Sequence, residues 1–133
     1  MSFTGAYLKA GYTLENPRNQ WSAVRDDGRV ALTIWSDEID KSAEPWRYDV
    51  SECHPRFSLM IGKVGHAVRA MHIERALGCG QTDFDLILCV AEDTTANPRK
   101  VKIARHWDQR VGRLVDGSFD RQAGTFVMEL CPA

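Results

Sequence analysis

The chain has no run of about 18 apolar residues and no basic-then-apolar amino terminus, so neither a membrane-spanning helix nor a secretory leader is expected. The expected setting is therefore intracellular, in the cytoplasm, with no membrane partner. It also has no G-x-x-x-x-G-K-S/T, no G-x-G-x-x-G, no G-x-S-x-G and no H-E-x-x-H. The commonest nucleotide, serine-hydrolase and zinc-protease routes thus lose their support. Excess charge is missing too: 17 basic and 18 acidic residues leave a formal −1, whereas coating nucleic acid by bulk attraction needs a broad basic face. Four cysteines, Cys53, Cys79, Cys89 and Cys131, are expected to stay as thiols without an export signal, and Cys89 inside LILCV reads as a small buried hydrophobe. No linker or low-complexity stretch divides the 133 residues, so one domain spanning 1–133 is expected.

Charge is present, but in blocks. Residues 98–113 carry six basic residues against Asp108 alone, and residues 36–52 carry six acids against Lys41 and Arg47. Such blocks are either solvated faces or segments that face each other in the fold. A third reading has the acidic block of one copy meeting the basic block of another, which would make the protein a homo-oligomer. The tripeptide Asn-Pro-Arg occurs at 16–18 and again at 97–99, but its flanks do not match. Both copies read as loops, since Asn-Pro initiates turns and proline donates no ladder hydrogen bond.

The clearest local element is residues 20–35, two β-rich runs around Asp27-Gly28. A two-residue turn there places Trp21 opposite Ile34, Ala23 opposite Leu32 and Arg25 opposite Val30, an apolar core face. The other face then pairs Gln20 with Trp35, Ser22 with Thr33 and Val24 with Ala31, so the two tryptophans point to opposite sides of the sheet. RFSLMIG, 56–62, reads as a short strand, and WRYDV, 46–50, as a weaker one. The principal helix spans about 66–77, with His66, Ala70, Ile73 and Leu77 on its apolar stripe, flanked by Ala67, and Arg69, His72 and Arg75 largely turned away. FDLILCVA, 84–91, has the unbroken apolar character of a strand buried on both faces. KVKI at 100–103, VGRLV, a turn at Asp116-Gly117, and TFVMEL with Phe126, Met128 and Leu130 on one face complete the set. The expected fold is α+β: a mainly antiparallel, curled sheet or small barrel with one principal helix.

Enzyme-like constellations are thin. His66 and His72 stand six residues apart and diverge around the helix, and Cys53-His54 lacks metal-pair spacing, so no metal and no cofactor are expected. No local signature marks a nucleophilic Cys-His pair. Glu92-Asp93 after the apolar strand, with Lys100 and Lys102 beyond, outlines a metal-dependent nuclease or other hydrolase as one alternative, although the spacing lacks an acid-x-Lys unit. A recognition surface fits better. Trp35 offers a flat ring on which a base can stack, Asn19, Gln20, Ser22 and Thr33 offer short polar groups for a base edge, and Arg99, Lys100, Lys102 and Arg105 offer phosphate contacts. The bland reading is that Trp35 packs beneath the helix or a second sheet.

Residues 16–36, with NPRNQWSAV and RVALTIW, also resemble small β-barrel domains of the PUA-like superfamily, the EVE, ASCH and SRA group. The resemblance implies recognition of RNA or of modified DNA bases in an aromatic-lined pocket. It carries over Trp35 and Asn19 as pocket residues and Arg99, Lys100, Lys102 and Arg105 as backbone contacts. The leading expectation is a non-enzymatic binding module for DNA or RNA. A protein-interaction or oligomerisation domain is the other alternative.

Overall fold

The computed structural model describes all 133 residues. It is an α+β fold: a strongly curled, half-barrel sheet of seven strands with three α-helices, one of them long. The elements in order are α1 (Phe3–Lys9), β1 (Ser22–Val24), β2 (Val30–Trp35), β3 (Trp46–Val50), α2 (Phe57–Met60), α3 (Val64–Gly78), β4 (Asp83–Ala91), β5 (Val101–His106), β6 (Arg110–Leu114) and β7 (Phe126–Pro132). Short 3₁₀ turns cover Pro17–Asn19 and Ser36–Glu38. No helix is long and apolar enough to cross a membrane.

β4 organises the sheet. On one side it pairs in parallel with β2; on the other, its start pairs with β6 and its end with β5, both antiparallel. The sheet therefore forks along β4, with β6, β7 and β3 continuing one branch. The apolar run expected to be buried on both faces is so buried. Phe84 and Leu86 enter the main core with Val30, Leu32, Ile34, Phe126, Met128 and Leu130, while Ile87 and Cys89 enter a second core beneath α1. That second core contains Ala6, Ala23, Ala31 and Ala104, and such small side chains let α1 lie close to the sheet. Burial pushes the Cys89 thiol up to about 12, so it acts as a hydrophobe.

Three local expectations need correction. Residues 57–60 form a helical turn, not a strand, and Leu59 and Ile61 remain exposed: a short apolar alternation is a weak β signal when it buries no continuous face. α3 is rotated about its axis. Its buried residues are Gly65, His66, Arg69, Ala70, Ile73 and Ala76, whereas Ala67 is exposed and Leu77 is 42% exposed. Arg69, expected to face away, thus lies inside.

The third correction concerns the hairpin. Arg25 N donates to Arg29 O at 2.8 Å and Gly28 N to Arg25 O at 2.8 Å, leaving Asp26, Asp27 and Gly28 in a three-residue loop. Gly28 has φ of +90°, the left-handed position that closes such loops. The Asp27 carboxylate fixes the wider turn by accepting from the Arg25 guanidinium and from Arg29 N. The register is therefore Ser22 opposite Leu32, Ala23 opposite Ala31 and Val24 opposite Val30. One residue of slip exchanges the faces of β1 while β2 keeps its own. Ser22 now turns to α3, where its Oγ meets His72 Nδ1 at 2.7 Å, and Ala23 enters the second core.

Candidate functional site

β2 outruns β1, and the consequence is a cavity. The last backbone bond between the two runs from Thr33 N to Trp21 O, 2.9 Å, after which the chain before Trp21 peels away into the Pro17–Asn19 turn. The next free donor on that edge, Trp35 N, is taken by the Tyr48 hydroxyl at 3.2 Å instead of by a strand. At an edge of this kind side chains from both faces of the sheet are within reach. A cavity of about 560 Å³ opens there, walled by α1 through Phe3, by the 17–21 segment, by β2 through Thr33 and Trp35, by α2 through Leu59 and Met60, by Lys63 and by Arg69 of α3, and by residues 97–99 and Val101. The volume lies within the range of small-molecule sites. The two Asn-Pro-Arg loops, unrelated as a repeat, both contribute to this wall.

Of the sequence-derived ligand residues, Asn19, Gln20, Thr33 and Trp35 come together around the cavity, and Ser22 does not. Trp21, assigned to the opposite face, lines it as well. Its ring lies so close to the α3 backbone that a Cβ on Gly65 would sit 2.4 Å from it. Thr33 is held by a hydrogen bond between its hydroxyl and that of Tyr7. Gln20 Oε1 accepts from Asn16 N at 2.7 Å, which ties the 16–20 loop into a ring. Trp35 is half-buried, packed on one side against the second core.

The basic group divides. Arg99 is folded back into the protein: it makes two 2.8 Å bonds to the Asp37 carboxylate, donates to Thr94 O, and holds its guanidinium 5.2 Å from the Trp35 ring centre. Its bonds with Asp37 raise its pKa further. Lys100 and Lys102 are exposed on either side of Val101; Val101 lines the cavity and the two lysines do not. Arg105 is exposed farther along β5. The acidic and basic blocks do face each other within one chain, through Arg99 with Asp37 and Glu38 and through Arg110 with Glu44.

Beneath Trp35 lies a buried polar cluster that sequence reading missed. Glu38, with a side chain 2% exposed, accepts from Tyr48 Oη at 3.1 Å and from Arg56 Nε at 2.6 Å, with His54 Nε2 at 3.0 Å. Burial alone would raise the Glu38 pKa; the hydrogen bonds from His54 and Arg56 and their charges bring it down to about 2. Arg56 in turn sits 5.8 Å from the Trp35 ring centre. The cluster therefore sets where Trp35 stands.

Arg69 is the other missed residue and the least ordinary one. It is only 4% exposed, lines the cavity and has no carboxylate partner. Its Nη2 donates to His66 Nδ1 at 3.2 Å and approaches Met60 Sδ at 3.7 Å, while Nε has no partner. The guanidinium lies 5.1 Å from both the Trp21 and Phe126 ring centres. Burial lowers its pKa to about 10, which still leaves it charged at neutral pH. His66 is neutral beside it, its pKa lowered by burial, with Nε2 donating to Ala123 O at 2.7 Å and Nδ1 free to accept. Charge on the cavity wall is of one sign: Arg18, Arg56, Lys63, Arg69 and Arg99 line it and no acid does.

Glu92 and Asp93, the nuclease alternative, are exposed, and the Asp93 carboxylate is occupied by Thr95 N and Oγ1 at 2.9 and 2.7 Å. No group of three or more His, Cys, Asp or Glu side chains stands where it could hold a metal ion. The four cysteines are free thiols. Comparison of the chain with protein-family models, with curated proteins and with solved structures finds no match.

Proposed function

We propose that the protein is a binding module for nucleic acid that admits one unstacked base to the cavity beside Trp21 and Trp35. One observation carries the reading: Asn19, Gln20, Thr33 and both tryptophans line a single cavity of about 560 Å³. Aromatic rings supply stacking that any base can use, and the amide and hydroxyl groups beside them can meet a base edge. Lys100 and Lys102, exposed on either side of the cavity-lining Val101, are the cations that would meet the phosphates flanking the inserted residue. This is the economy of a reader that takes a base out of its stack, and it agrees with the PUA-like resemblance of residues 16–36.

The test is fluorescence titration of single-stranded DNA and RNA oligonucleotides and of duplexes with a mismatched or modified base. Trp35→Ala is expected to lower affinity by about fivefold or more with the thermal transition retained, since stacking is worth about 1–3 kcal/mol per base. Lys100→Ala with Lys102→Ala is expected to flatten the salt dependence and change the sequence preference little. Affinity unchanged by Trp35→Ala would overturn the reading.

A further inference from the structure

We propose that the floor of the cavity is a phosphate subsite centred on Arg69, and that the inserted ligand is a nucleotide that brings its own phosphate monoester to it. The aromatic half of this ligand rests on the base-binding reading above; the phosphate half rests on separate observations. A guanidinium 96% withdrawn from solvent normally has an acid to meet it, because an unpaired buried charge is costly. Arg69 has none, and its Nε carries an unused donor. His66 cannot neutralise it, since its Nδ1 is a neutral acceptor held in place by the Ala123 carbonyl. The protein thus keeps a charge ready and leaves its counterion to a ligand.

The surroundings select the kind of anion. Helical side chains lean towards the helix N-terminus, so Arg69 reaches back along α3 towards its first turn. That turn begins at Val64 with no capping side chain and no acidic residue, leaving its N–H groups and positive dipole end uncompensated. Lys63, preceding it, and Arg18, across the opening, are exposed, line the cavity and make no ion pair. Three cations lining one cavity exceed what one carboxylate neutralises and match the −1.5 to −2 charge of a phosphate monoester. A phosphodiester within a strand carries about half of that charge, so the shared chemistry is a terminal nucleoside phosphate. It can come from a free mononucleotide or from the phosphorylated end of a strand.

The experiment is calorimetric titration of the full chain with four probes: nucleosides, the matching nucleoside 5′-monophosphates, oligonucleotides with and without a 5′-phosphate, and inorganic phosphate. The monophosphates are expected to bind at least tenfold tighter than the nucleosides. Arg69→Met should erase that advantage, and Arg18→Ala with Lys63→Ala, both at exposed positions, should reduce it several-fold. The exposed pair keeps the test decisive should Arg69→Met fail to fold. Monophosphates that bind no tighter than nucleosides would overturn the subsite and leave the base reading standing. Binding of inorganic phosphate that depends on Arg69, with nucleosides and bases ignored, would uphold the subsite and overturn the base reading. A monophosphate preferred over the phosphorylated oligonucleotide assigns the ligand as a free nucleotide, and the reverse assigns it as a strand end. No binding by any probe would overturn both.

Discussion

Two tryptophan-arginine assemblies occur in this molecule, and they are built to opposite ends. In the first, the Trp46 and Trp107 rings stack with centroids 6.4 Å apart, and Arg110 lies 3.9 Å from the Trp46 centroid. Arg110 spends its donors locally, on Leu130 O at 2.7 Å and on the Glu44 carboxylate at 3.2 and 3.4 Å. The second gathers Trp21 and Trp35 with Arg56, Arg69 and Arg99 around an open cavity, and there Arg69 is left without an acid. The strands explain the contrast. Trp46 opens β3, whose residues all pair with β7, so the first assembly rests on a strand paired from its first residue, whereas β2 extends past β1 and the second forms over a gap. The same residue types fill space where the backbone is paired and frame a site where it is not.

The largest expected effect separates the acids that serve the two assemblies. Glu38 is buried among Arg56, Arg99, Tyr48 and His54, so Glu38→Ala leaves Arg56 without its acid and the Tyr48 hydroxyl without its acceptor, and should lower stability by about 3–5 kcal/mol in urea titration. Glu44, whose side chain is 60% exposed, should cost less than about 1 kcal/mol when replaced by Ala. Equal losses would erase the distinction between a buried and a surface clamp. Acid should reveal the same asymmetry. A carboxylate held at about 2 when folded, against about 4.3 when unfolded, gives full stabilisation above the unfolded value and loses it as pH falls through the folded one. Wild type should therefore lose more stability between about pH 4.3 and about pH 2 than Glu38→Gln does.

A smaller effect is expected at the wall of the cavity. A methyl group at Gly65 would stand 2.4 to 2.6 Å from three atoms of the Trp21 indole, so Gly65→Ala must push that ring aside. The cost should be about 1–3 kcal/mol, accompanied by a shift in tryptophan emission. Gly78→Ala at the other end of α3 meets nothing within 4 Å and should change stability by less than about 0.5 kcal/mol. An unchanged emission spectrum in Gly65→Ala would mean that Trp21 does not rest on α3 as described.

What the sequence made legible follows from which constraints are local. The two-sided burial of 84–91 and the Phe126, Met128 and Leu130 face were readable because apolar patterning records them directly, and the end of the long helix because Gly78 marks it. Thr33 and Trp35 keep the faces read for β2, and Asn19 and Gln20 line the same cavity; Trp21 packs against the main core with Leu32 and Ile34 as read, while Ser22 was misplaced by a turn one residue longer than Asp27-Gly28 suggests. The signal for that longer loop was Asp27 itself, flanked by Arg25 and Arg29 that its carboxylate binds. Arg69 was illegible for a different reason. A charge on a helix reads as a solvent-facing residue, and only its place between His66 and Ile73, one turn from each, hinted that it shares their face. Glu38, Tyr48 and Arg56 converge from three separate segments, and no local pattern reports such a meeting.

The sharpest test of the comparison replaces each arginine with methionine, similar in length and uncharged. Arg110→Met removes a charged donor from the Leu130 carbonyl and a cation from the face of Trp46, and it should lower stability by about 1–2 kcal/mol. Arg69→Met removes a buried charge that no acid meets, and it should leave stability unchanged or raise it by about 1 kcal/mol. Opposite signs in chemical denaturation would mark Arg110 as a structural clamp and Arg69 as a residue retained against the interest of stability, which is how a binding group behaves. A loss at Arg69 as large as that at Arg110 would mean that its contacts with Trp21 and Phe126 hold the fold together. The guanidinium would then have a structural reason to be buried, and the vacant Nε would lose its force as a sign of a ligand.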